Sequence, residues 1–303
     1  MNNESGIFLV NKPLNITSND LIQKIKKKFN IKKIGHAGTL DPIATGLMVV
    51  LTNQATKISN YLLKADKVYV VEMKLFQKTD SGDITGKVIE TQEFKKIAKK
   101  DVETLAQKYN GYIYDQYPPI YSAIKVNGKK LYEYARNDQE VKIEPRKVTI
   151  NECEVIDFNQ KNATIKLKVN CSKGTYIRSF VQDFAKELDC ISTVSSLERV
   201  ASGNFNLDQA KTIEKIEESD LITMYDGLIQ NNHTLIEYHK SRDIIQGRAI
   251  TLTGRSDKVI FIIDDKKNVI AIYKWVAKDL YTCQRGLWDE DFEASLTEAE
   301  RDF

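Results

Sequence analysis

The sequence feature that most constrains the fold of this chain is a turn-rich segment followed directly by an apolar segment. Residues 34–46 read IGHAGTLDPIATG and residues 47–51 read LMVVL. The glycines and proline of the first run predict a loop, and the apolar residues of the second predict a short strand. Asp41 is the only carboxylate in the loop. Pro42 disfavours the helical conformation at Asp41 and can begin a helical turn, so the local sequence by itself favours a capping role for Asp41.

Three familiar catalytic and ligand-binding loops do not fit the sequence. A P-loop requires GxxxxGK[ST], and neither Gly35 nor Gly38 is followed by Gly-Lys at the required offset. A calcium loop at residues 80–86 (DSGDITG) fails because Gly82 and Ile84 occupy the third and fifth ligand positions. The sequence also lacks the GxSxG nucleophile elbow of hydrolases.

The composition is that of an ordinary soluble globular protein. The chain has 303 residues, 42% hydrophobic and 29% charged, which is enough for one large domain and a small one. Its four cysteines are isolated and it has three histidines, which argues against structural zinc and for a reducing compartment. The first apolar run covers only residues 7–10, and no later run approaches membrane-spanning length. We therefore expect a cytoplasmic protein that is neither exported nor inserted in a membrane.

The modest net charge of +3 is an average over two unlike parts. Residues 289–303 contain seven acidic residues and one basic residue, which predicts a disordered acidic tail. Residues 1–288 therefore carry 44 basic against 35 acidic residues, a net charge of +9. Residues 23–33 (QKIKKKFNIKK) contain six lysines and no acid. This run is either a solvated helix face or a surface that binds the phosphates of a polyanion, and its sequence favours neither.

The pattern of elements predicts an α+β fold. Thr17 and Asp20 have the spacing of a capping box, so a helix is expected to begin there, and residues 95–109 predict another. Residues 68–79 (VYVVEMKLFQKT) predict one strand, and residues 147–157 and 163–170 predict two strands that flank the turn NQKN.

Two further regions stand out from this pattern. Residues 115–146 form a long, basic, tyrosine-rich segment with paired prolines and an Asn-Gly turn. Beyond about residue 240 the pattern changes to short apolar strands, at residues 258–264 and 269–276, around polar turns. These strands predict a small all-β appendage.

The loop sequence and seven other segments resemble the tRNA pseudouridine synthase B family, in order over roughly 240 residues. An ordered series of this length is far more specific than any one motif. The matching segments are LVNKPLNITSND (9–20), GHAGTLDPIATGLMVV (35–50), ATK (55–57), KVYVV (67–71), TDSGDITG (79–86), YPPIYSAIKVNGKKLYEYAR (117–136), KGTYIRS (173–179) and LERVASGNF (197–205).

The resemblance implies a fold, an activity and a partner. The fold is the pseudouridine synthase fold, a mixed central sheet flanked by helices, with a small β-barrel appendage of the PUA type. The activity is isomerisation of uridine 55 in the T loop of tRNA to pseudouridine, without a cofactor and without a metal. The target base must be flipped into a pocket, where the carboxylate of Asp41 acts on the ribose as nucleophile or as base. The expected partner is the T-arm stem-loop of tRNA, with no membrane and no protein partner, and we expect a monomer.

The resemblance also assigns roles to five further residues. Tyr69 is expected beside the flipped base, and Leu197 is expected to contact it. Tyr176 and Arg178 lie in the KGTYIR motif, and the arginine is expected to keep the catalytic carboxylate ionised and oriented. His36 is expected to occupy the space that the flipped base leaves in the T loop. Without the resemblance, these residues would be interpreted as ordinary core, loop or surface residues.

The predicted domains are a catalytic domain at residues 1–240 and a PUA-like RNA-binding appendage with the acidic tail at residues 241–303. Residues 115–146 are expected to be a mobile thumb over the RNA. Two alternatives remain open: a pseudouridine synthase with another RNA target, and a non-catalytic protein that binds or folds tRNA. Retention of both GTLDP and KGTYIR argues against the second.

Overall fold

The computed structural model describes residues 3–122, 124–137, 139–289 and 292–294, and strands dominate it. The strands, numbered in chain order, are β1 (Gly6–Lys12), β2 (Ile34–His36), β3 (Ala44–Thr52), β4 (Lys67–Leu75), β5 (Gln77–Thr79), β6 (Val88–Thr91), β7 (Tyr112–Gln116), β8 (Lys125–Val126), β9 (Lys129–Lys130), β10 (Arg146–Asn159), β11 (Thr164–Cys171), β12 (Ser192–Ser202), β13 (Phe205–Asn206), β14 (Ile222–Thr223), β15 (Leu235–Glu237), β16 (Ile250–Thr251), β17 (Val259–Ile263), β18 (Val269–Ala277) and β19 (Leu280–Gly286).

The helices lie between the strands in sequence. They are α1 (Ser18–Lys28), α2 (Ser59–Leu62), α3 (Lys99–Lys108), α4 (Leu131–Arg136), α5 (Ile177–Lys186), α6 (Met224–Gln230) and α7 (Ser241–Ile245), with 3₁₀ helices at Asn53–Ile58, Leu207–Gln209 and Glu218–Asp220. None of the helices in the described ranges is long and apolar enough to cross a membrane.

A large mixed sheet forms the centre of the fold. Its strand order is β14-β1-β3-β12-β4-β11-β10-β7, with β2 added to β3 and β13 added to β12. The β3–β12 pair is parallel and the other pairs are antiparallel. This parallel pair brings the strand that follows the Asp41 loop next to the strand that contains Leu197. The predicted mixed central sheet is therefore confirmed.

Strands β1 and β3 each contain a continuous apolar run, residues 7–10 and 47–51, because both of their faces are covered. Alternate side chains of a strand point to opposite faces, so each strand contributes to two cores. One core packs against α1 and contains Phe8, Val10, Met48 and Val50. The other contains, from the same two strands, Ile7, Leu9, Leu47, Val49 and Leu51. In β4, by contrast, buried and half-exposed residues alternate, since only one of its faces is fully covered.

A second, five-stranded sheet covers the other face of β1 and β3. Its order is β15-β17-β18-β19-β16, and Phe261, Ile263 and Ile272 share a core with β1 and β3. This sheet contains the two apolar strands predicted beyond residue 240. Its first strand, β15, precedes residue 241, and the division of the chain there stays a prediction. Most of the predicted acidic tail lies outside the described residues.

Short-range signals in the sequence predicted several elements correctly. The Thr17 hydroxyl accepts from the Asp20 amide at 3.0 Å, and the Asp20 carboxylate accepts from the Thr17 amide, so the capping box at the start of α1 is confirmed. The β10–β11 hairpin around residues 160–163 is also confirmed. The single strand expected over residues 68–79 was wrong. Phe76, at φ 63°, interrupts it between β4 and β5 because its amide donates to the Ile191 carbonyl of another segment.

The tyrosine-rich segment, residues 115–146, extends from β7 to β10, which pair with each other. Within it, β8 and β9 form a hairpin whose turn residues Asn127 and Gly128 both have positive φ. This is the geometry that tight hairpins require, and Asn-Gly is their preferred sequence. The predicted Asn-Gly turn is confirmed, whereas the mobility of the segment stays a prediction.

Candidate active site

The Asp41 loop is held between α1 and β3 by short polar contacts. The Ser18 hydroxyl, in the first turn of α1, donates to the Leu40 carbonyl and accepts from the Leu40 amide, both at 2.8 Å. On the other side of Asp41, the Pro42 carbonyl accepts from Asn15 at 2.9 Å, and the Asp41 carbonyl accepts from Ala44 at 3.0 Å. These bonds close the loop into a turn, so the backbone on both sides of the carboxylate is fixed.

Arg178 connects Asp41 to two other segments. Its Nε lies 2.9 Å from Asp41 Oδ2, while Nη1 donates to the Ser81 carbonyl and Nη2 to the Tyr121 carbonyl, each at 2.7 Å. The Arg178 side chain is 5% exposed and that of Asp41 is 36% exposed. A planar guanidinium with three fixed acceptors has little rotational freedom. It therefore orients the carboxylate while leaving part of it open to solvent.

The charges around Asp41 act on its pKa in opposite directions. Burial raises the pKa of the Asp41 carboxyl, Arg178 lowers it, Asp83 raises it and Lys12 lowers it, and the net result is a pKa above the ordinary value. A carboxylate with a raised pKa accepts a proton more readily than a solvated one. The site thus holds a carboxylate that is more basic than usual beside a cation that favours its ionised form.

Asp83 belongs to the turn that fills one side of the site, and it has a structural role there. It is buried and accepts from the Thr85 amide at 3.0 Å and from the Ser81 hydroxyl at 3.1 Å. The turn is anchored to β12 through the hydroxyls of Thr79 and Thr193, 2.8 Å apart. Because this turn presents the Ser81 carbonyl to Arg178, the motif TDSGDITG supports the site without supplying a calcium loop.

A cavity of about 330 Å³ opens beside Asp41. The Asp41 loop contributes residues 38–41 to its lining, and the segment at the start of α5 contributes residues 174–178. The rest of the lining is Lys67 on β4, Leu197 and Arg199 on β12, and the single residues Leu63 and Ser122. Four of the six predicted site residues therefore meet there: Asp41, Tyr176, Arg178 and Leu197. No group of three or more His, Cys, Asp or Glu side chains in the described part of the chain could hold a metal ion.

Tyr69 and His36 lie outside this lining. Tyr69 is 7% exposed on β4, directly across from Arg199 on β12, and burial raises its pKa, so its hydroxyl is protonated. His36 is half-buried on β2, and burial together with the charge of Arg199 lowers its pKa. Its ring is therefore neutral at physiological pH. Both residues are neighbours of the cavity through Arg199.

Three buried cations at the site had no predicted role: Lys12, Lys67 and Arg199. Burial lowers the pKa of Lys12 and of Lys67 to about 8 in each case. Each ammonium donates to backbone carbonyls, from Lys12 to Ile16 at 2.8 Å and from Lys67 to Ala65 at 2.8 Å. For Lys12, its position at the end of an apolar run was the available signal, since a lysine is almost never fully buried unless it is paired.

The position of Arg199 explains why two positions of the loop motif are glycine. Its Nε donates to the Leu47 carbonyl at 2.8 Å and its Nη2 to the Gly38 carbonyl at 3.1 Å. A Cβ on Gly38 would lie 3.1 Å from Arg199 Nη1, and a Cβ on Gly46 would lie 2.3 Å from the Arg199 carbonyl oxygen. Both glycines have positive φ. The close approach of Arg199 on β12 and the positive φ values together account for glycine at both positions.

Comparison with known proteins decides the family. The model of the TruB family pseudouridylate synthase, N-terminal domain, matches residues 26–177. The tRNA pseudouridine synthase B of Mycoplasma mycoides subsp. mycoides is 47% identical over 288 residues, 95% of this chain and 99% of that protein. This chain belongs to the TruB family of pseudouridine synthases. The tRNA pseudouridine synthase B of Mesoplasma florum is 46% identical over 94% of this chain and 98% of that protein. The predicted family is thus confirmed.

Solved structures support the fold of this TruB family member across both sheets. A chain in the crystal structure of a Cbf5-Nop10-Gar1 complex superposes with a TM-score of 0.71 at 21% identity, and the match covers 94% of this chain and 86% of that chain. A chain in the archaeal box H/ACA sRNP Nop10-Cbf5 complex gives a TM-score of 0.68 at 18% identity, over 95% and 87% of the two chains. The predicted fold class, with its small C-terminal β structure, is confirmed.

Proposed function

We propose that this pseudouridine synthase converts uridine 55 in the T loop of tRNA to pseudouridine, with Asp41 as the catalytic residue. The observation that carries the proposal is the partly open Asp41 carboxylate, held by Arg178 at the edge of a cavity. The near-full-length relatives named tRNA pseudouridine synthase B support tRNA as the substrate.

The reaction is an isomerisation, so the uridine supplies all the atoms of the product. The bond between N1 of uracil and C1′ of ribose breaks, the uracil rotates, a bond forms between C5 and C1′, and the proton on C5 moves to N1. Asp41 acts on the ribose, either by attacking it as a nucleophile or by removing a proton from it. Both roles need the ionised carboxylate, which Arg178 favours by its charge.

The flipped uracil needs contacts that replace its lost stacking in the RNA. Leu197 and Tyr176 supply apolar and aromatic surface in the cavity lining. Tyr69 lies opposite Arg199 of the cavity lining, and its ring is proposed to contact the base in the complex with RNA. Stacking on an aromatic ring contributes about 1 to 3 kcal/mol per base, comparable to the few kcal/mol that flipping costs.

His36 and the tyrosine-rich segment are proposed to contact the RNA around the target. A neutral His36 can enter the stack that the flipped base leaves without the desolvation cost of a charge. In the tyrosine-rich segment, cations lie over aromatic rings: Lys130 and Arg136 over Tyr132, each at 5.3 Å, and Lys129 over Tyr134 at 6.0 Å. Such pairs suit stacked bases and phosphates together.

The direct test maps pseudouridine in tRNA after incubation with the purified protein, and in tRNA from cells that lack it. We expect conversion at position 55 in vitro and loss of that modification in the cells. A stem-loop RNA that contains only the T arm should also be modified, since the cavity needs one flipped nucleotide and the bend around it. Conversion only outside the T loop, or an inert stem-loop beside a reactive whole tRNA, would contradict the assignment to this target.

A further inference from the structure

The acidic tail begins beside the end of the lysine-rich run of residues 23–33. Asp289 and Glu293, two carboxylates of the tail, line the same pocket as Lys32 and Lys33, the last two lysines of that run. The pocket has a volume of about 520 Å³, and the rest of its lining is Asn3, Asn53, Gln54, Lys57 and Trp288. We call this surface the tail pocket. It brings together the most acidic and the most basic segment of the sequence.

The lysines of the tail pocket are fixed in place and not neutralised. The Lys33 amide donates to the Asn53 side chain at 3.1 Å, and the Lys33 carbonyl accepts from the Asn53 amide at 2.7 Å. Lys32 and Lys33 are exposed, and neither forms an ion pair with a carboxylate in the described ranges. Burial and the charges of Arg285 and Lys33 lower the pKa of Lys57, so positive charges act on one another here. Carboxylates that bind in this pocket relieve the repulsion.

The first turn of the tail is held by the second sheet. Trp288 and Phe292 pack against the core of that sheet. The Asp289 carboxylate accepts from the Phe292 amide at 3.0 Å, and the Asp289 carbonyl accepts from the Glu293 amide at 3.1 Å. The tail is therefore tethered beside the lysines, and it carries seven acidic residues. A group on a short tether has an effective concentration on the order of millimolar, so even a weak contact is populated.

We propose that the acidic tail binds the tail pocket in the free enzyme and competes there with RNA phosphates for Lys32 and Lys33. This inference rests on the proposed function, because RNA is the competing anion. A lysine ammonium is a compact point charge that pairs with carboxylates and with phosphates alike. RNA must displace the tail before it can use these two lysines. The tail is thus an intramolecular inhibitor of RNA binding at this end of the lysine-rich run.

The test variant removes charge from the tail and keeps its packing. Four acids are replaced by the corresponding amides: Asp289→Asn, Glu290→Gln, Asp291→Asn and Glu293→Gln. Trp288 and Phe292 are kept because they pack against the core of the second sheet. An asparagine at position 289 can still accept from the Phe292 amide through its side-chain oxygen, so the first turn should persist.

The matched control removes the same number of negative charges far from the tail pocket. Four exposed acids are replaced by the corresponding amides: Asp101→Asn on α3, and Glu152→Gln, Glu154→Gln and Asp157→Asn on β10. Val102 of α3 shares a core with Cys153 of β10, so the four positions lie in one region. Strand β3, which leads into Asn53, is four positions from β10 in the sheet. This is about 19 Å at the usual strand spacing, beyond the Debye length of about 8 Å at physiological salt.

The contact between the tail and the lysines is tested first, without RNA. The full chain is treated with a carbodiimide, which joins an amine and a carboxylate in direct contact, and the cross-linked peptides are identified by mass spectrometry. We expect cross-links from Lys32 or Lys33 to acids of the tail. They should be lost at about 1 M salt, where the Debye length is about 3 Å. The absence of such cross-links at low salt would overturn the proposal.

Competition is tested by binding to a T-arm stem-loop RNA. We expect the tail variant to bind on the order of 10-fold more tightly at about 50 mM salt, with a salt slope steeper by about one to two units, because Lys32 and Lys33 then release counterions. KM should fall while kcat at saturating RNA is retained. The control variant should gain about 2-fold at most. An equal gain in the control variant would show a general effect of net charge and overturn the proposal.

A double-variant cycle locates the competition at the two lysines. Replacing Lys32 and Lys33 with glutamine should remove the gain of the tail variant, yet change the affinity of the wild type by only about 2-fold, because its tail already occupies them. A gain that survives the replacement of both lysines would refute the proposal.

The proposed function can fail separately. Wild-type protein that converts uridine 55, together with no gain in the tail variant, refutes the role of the tail alone. Wild-type protein that does not convert uridine 55, together with cross-links and a gain that depends on Lys32 and Lys33, refutes the target while supporting the tail as a competitor of RNA.

Discussion

The catalytic cavity and the lysine-rich surface of α1 use charge in different ways. In the cavity, Arg178 has three fixed acceptors and is almost fully buried, and Asp41 lies 2.9 Å from it. On α1, Lys24 and Lys27 are exposed and lie on a short helix, with neither fixed in an ion pair to a described residue. Charges of the first kind are positioned by the fold, whereas those of the second kind remain free to meet an anion.

The difference indicates that the charges in the cavity serve the reaction, whereas the charges on α1 serve affinity for RNA. A buried, oriented charge acts on one reacting atom, and its effect depends on small distances. An exposed charge acts on any nearby phosphate, and salt screens it. Substitutions in the cavity should therefore change turnover with little effect on RNA affinity, and substitutions on α1 should do the reverse.

The sharpest test of this division is Asp41→Asn. We expect kcat to fall on the order of 10⁴-fold or more, because the variant has neither a nucleophile nor a base at this position. Affinity for tRNA should stay within about 2-fold, since phosphate contacts elsewhere supply most of it. The measurements are single-turnover pseudouridine formation and tRNA binding.

The fold itself should tolerate Asp41→Asn. Because the folded-state pKa of Asp41 is raised, the stability associated with this group is present at low pH and is lost as pH rises through that pKa. At neutral pH the ionised form thus lowers stability, and a neutral amide of the same shape removes that effect. Substantial product from a folded variant at saturating tRNA would exclude Asp41 from the mechanism.

Arg178→Gln tests whether position or charge matters more in the cavity. We expect kcat to fall about 100-fold, the size of effect that a misplacement of roughly 1 Å produces. The acid limb of the pH–rate profile should also move to higher pH. Arg178 lowers the pKa of Asp41, so without it the carboxylate ionises only at higher pH. Kinetics from pH 4 to 8 measure both effects.

Arg178→Lys is the matched control, because it keeps the charge and loses the fork that reaches Ser81 and Tyr121. Its acid limb should stay near that of the wild type while kcat still falls. If the limb moves equally in both variants, charge does not set the ionisation of Asp41.

Gly46→Ala changes the packing between β3 and β12 beside the cavity without changing any charge. A Cβ there would lie 2.3 Å from the carbonyl oxygen of Arg199, and Gly46 has φ +98°. We expect the free energy of unfolding to fall by about 3 kcal/mol, or on the order of 100-fold in the folding equilibrium. Urea unfolding measures it.

Gly128→Ala, in the β8–β9 turn, serves as the comparison. Gly128 also has a positive φ, but nothing lies within 4 Å of its added Cβ, so the loss should be about 1 kcal/mol. Equal losses at Gly46 and Gly128 would show that backbone strain, rather than the contact with β12, sets the requirement for Gly46.

The smallest expected effect is on α1. Of the lysines on α1, Lys28 is already engaged by the protein, because its ammonium donates to the carbonyls of Ile213 and Glu214 at 2.8 and 3.0 Å. Replacing Lys24 and Lys27 with glutamine should weaken tRNA binding on the order of 10-fold and reduce the salt slope by about one unit for each phosphate that is no longer bound. An unchanged slope would make this run a solvated face.

Much of the secondary structure could be predicted because its causes are local. The capping box at Thr17 and Asp20 and the Asn127–Gly128 turn need only residues within three or four positions. The break at Phe76 could not be predicted, since its amide bonds to Ile191, more than one hundred residues later. A single sequence contains no sign of that partner.

In the candidate active site, too, local sequence predicted some features and missed those that depend on distant residues. Local sequence by itself favoured a capping role for Asp41, and the resemblance to the family, not the spacing of residues, joined it to Arg178. The close contact between these two side chains now gives that pairing a physical basis. Tyr69 and His36 keep their predicted roles as proposals, because both lie outside the cavity lining.

By itself, the sequence determined the order of elements, the loop that holds Asp41 and the basic character of the body, since these depend on short-range patterns and on composition. Only the tertiary structure decided which charges are buried together. Lys12, Lys67 and Arg199 come from three different strands and lie near one another beside Asp41. The reason is that both faces of β1 and β3 are buried. One face packs against α1, and the other packs against the second sheet.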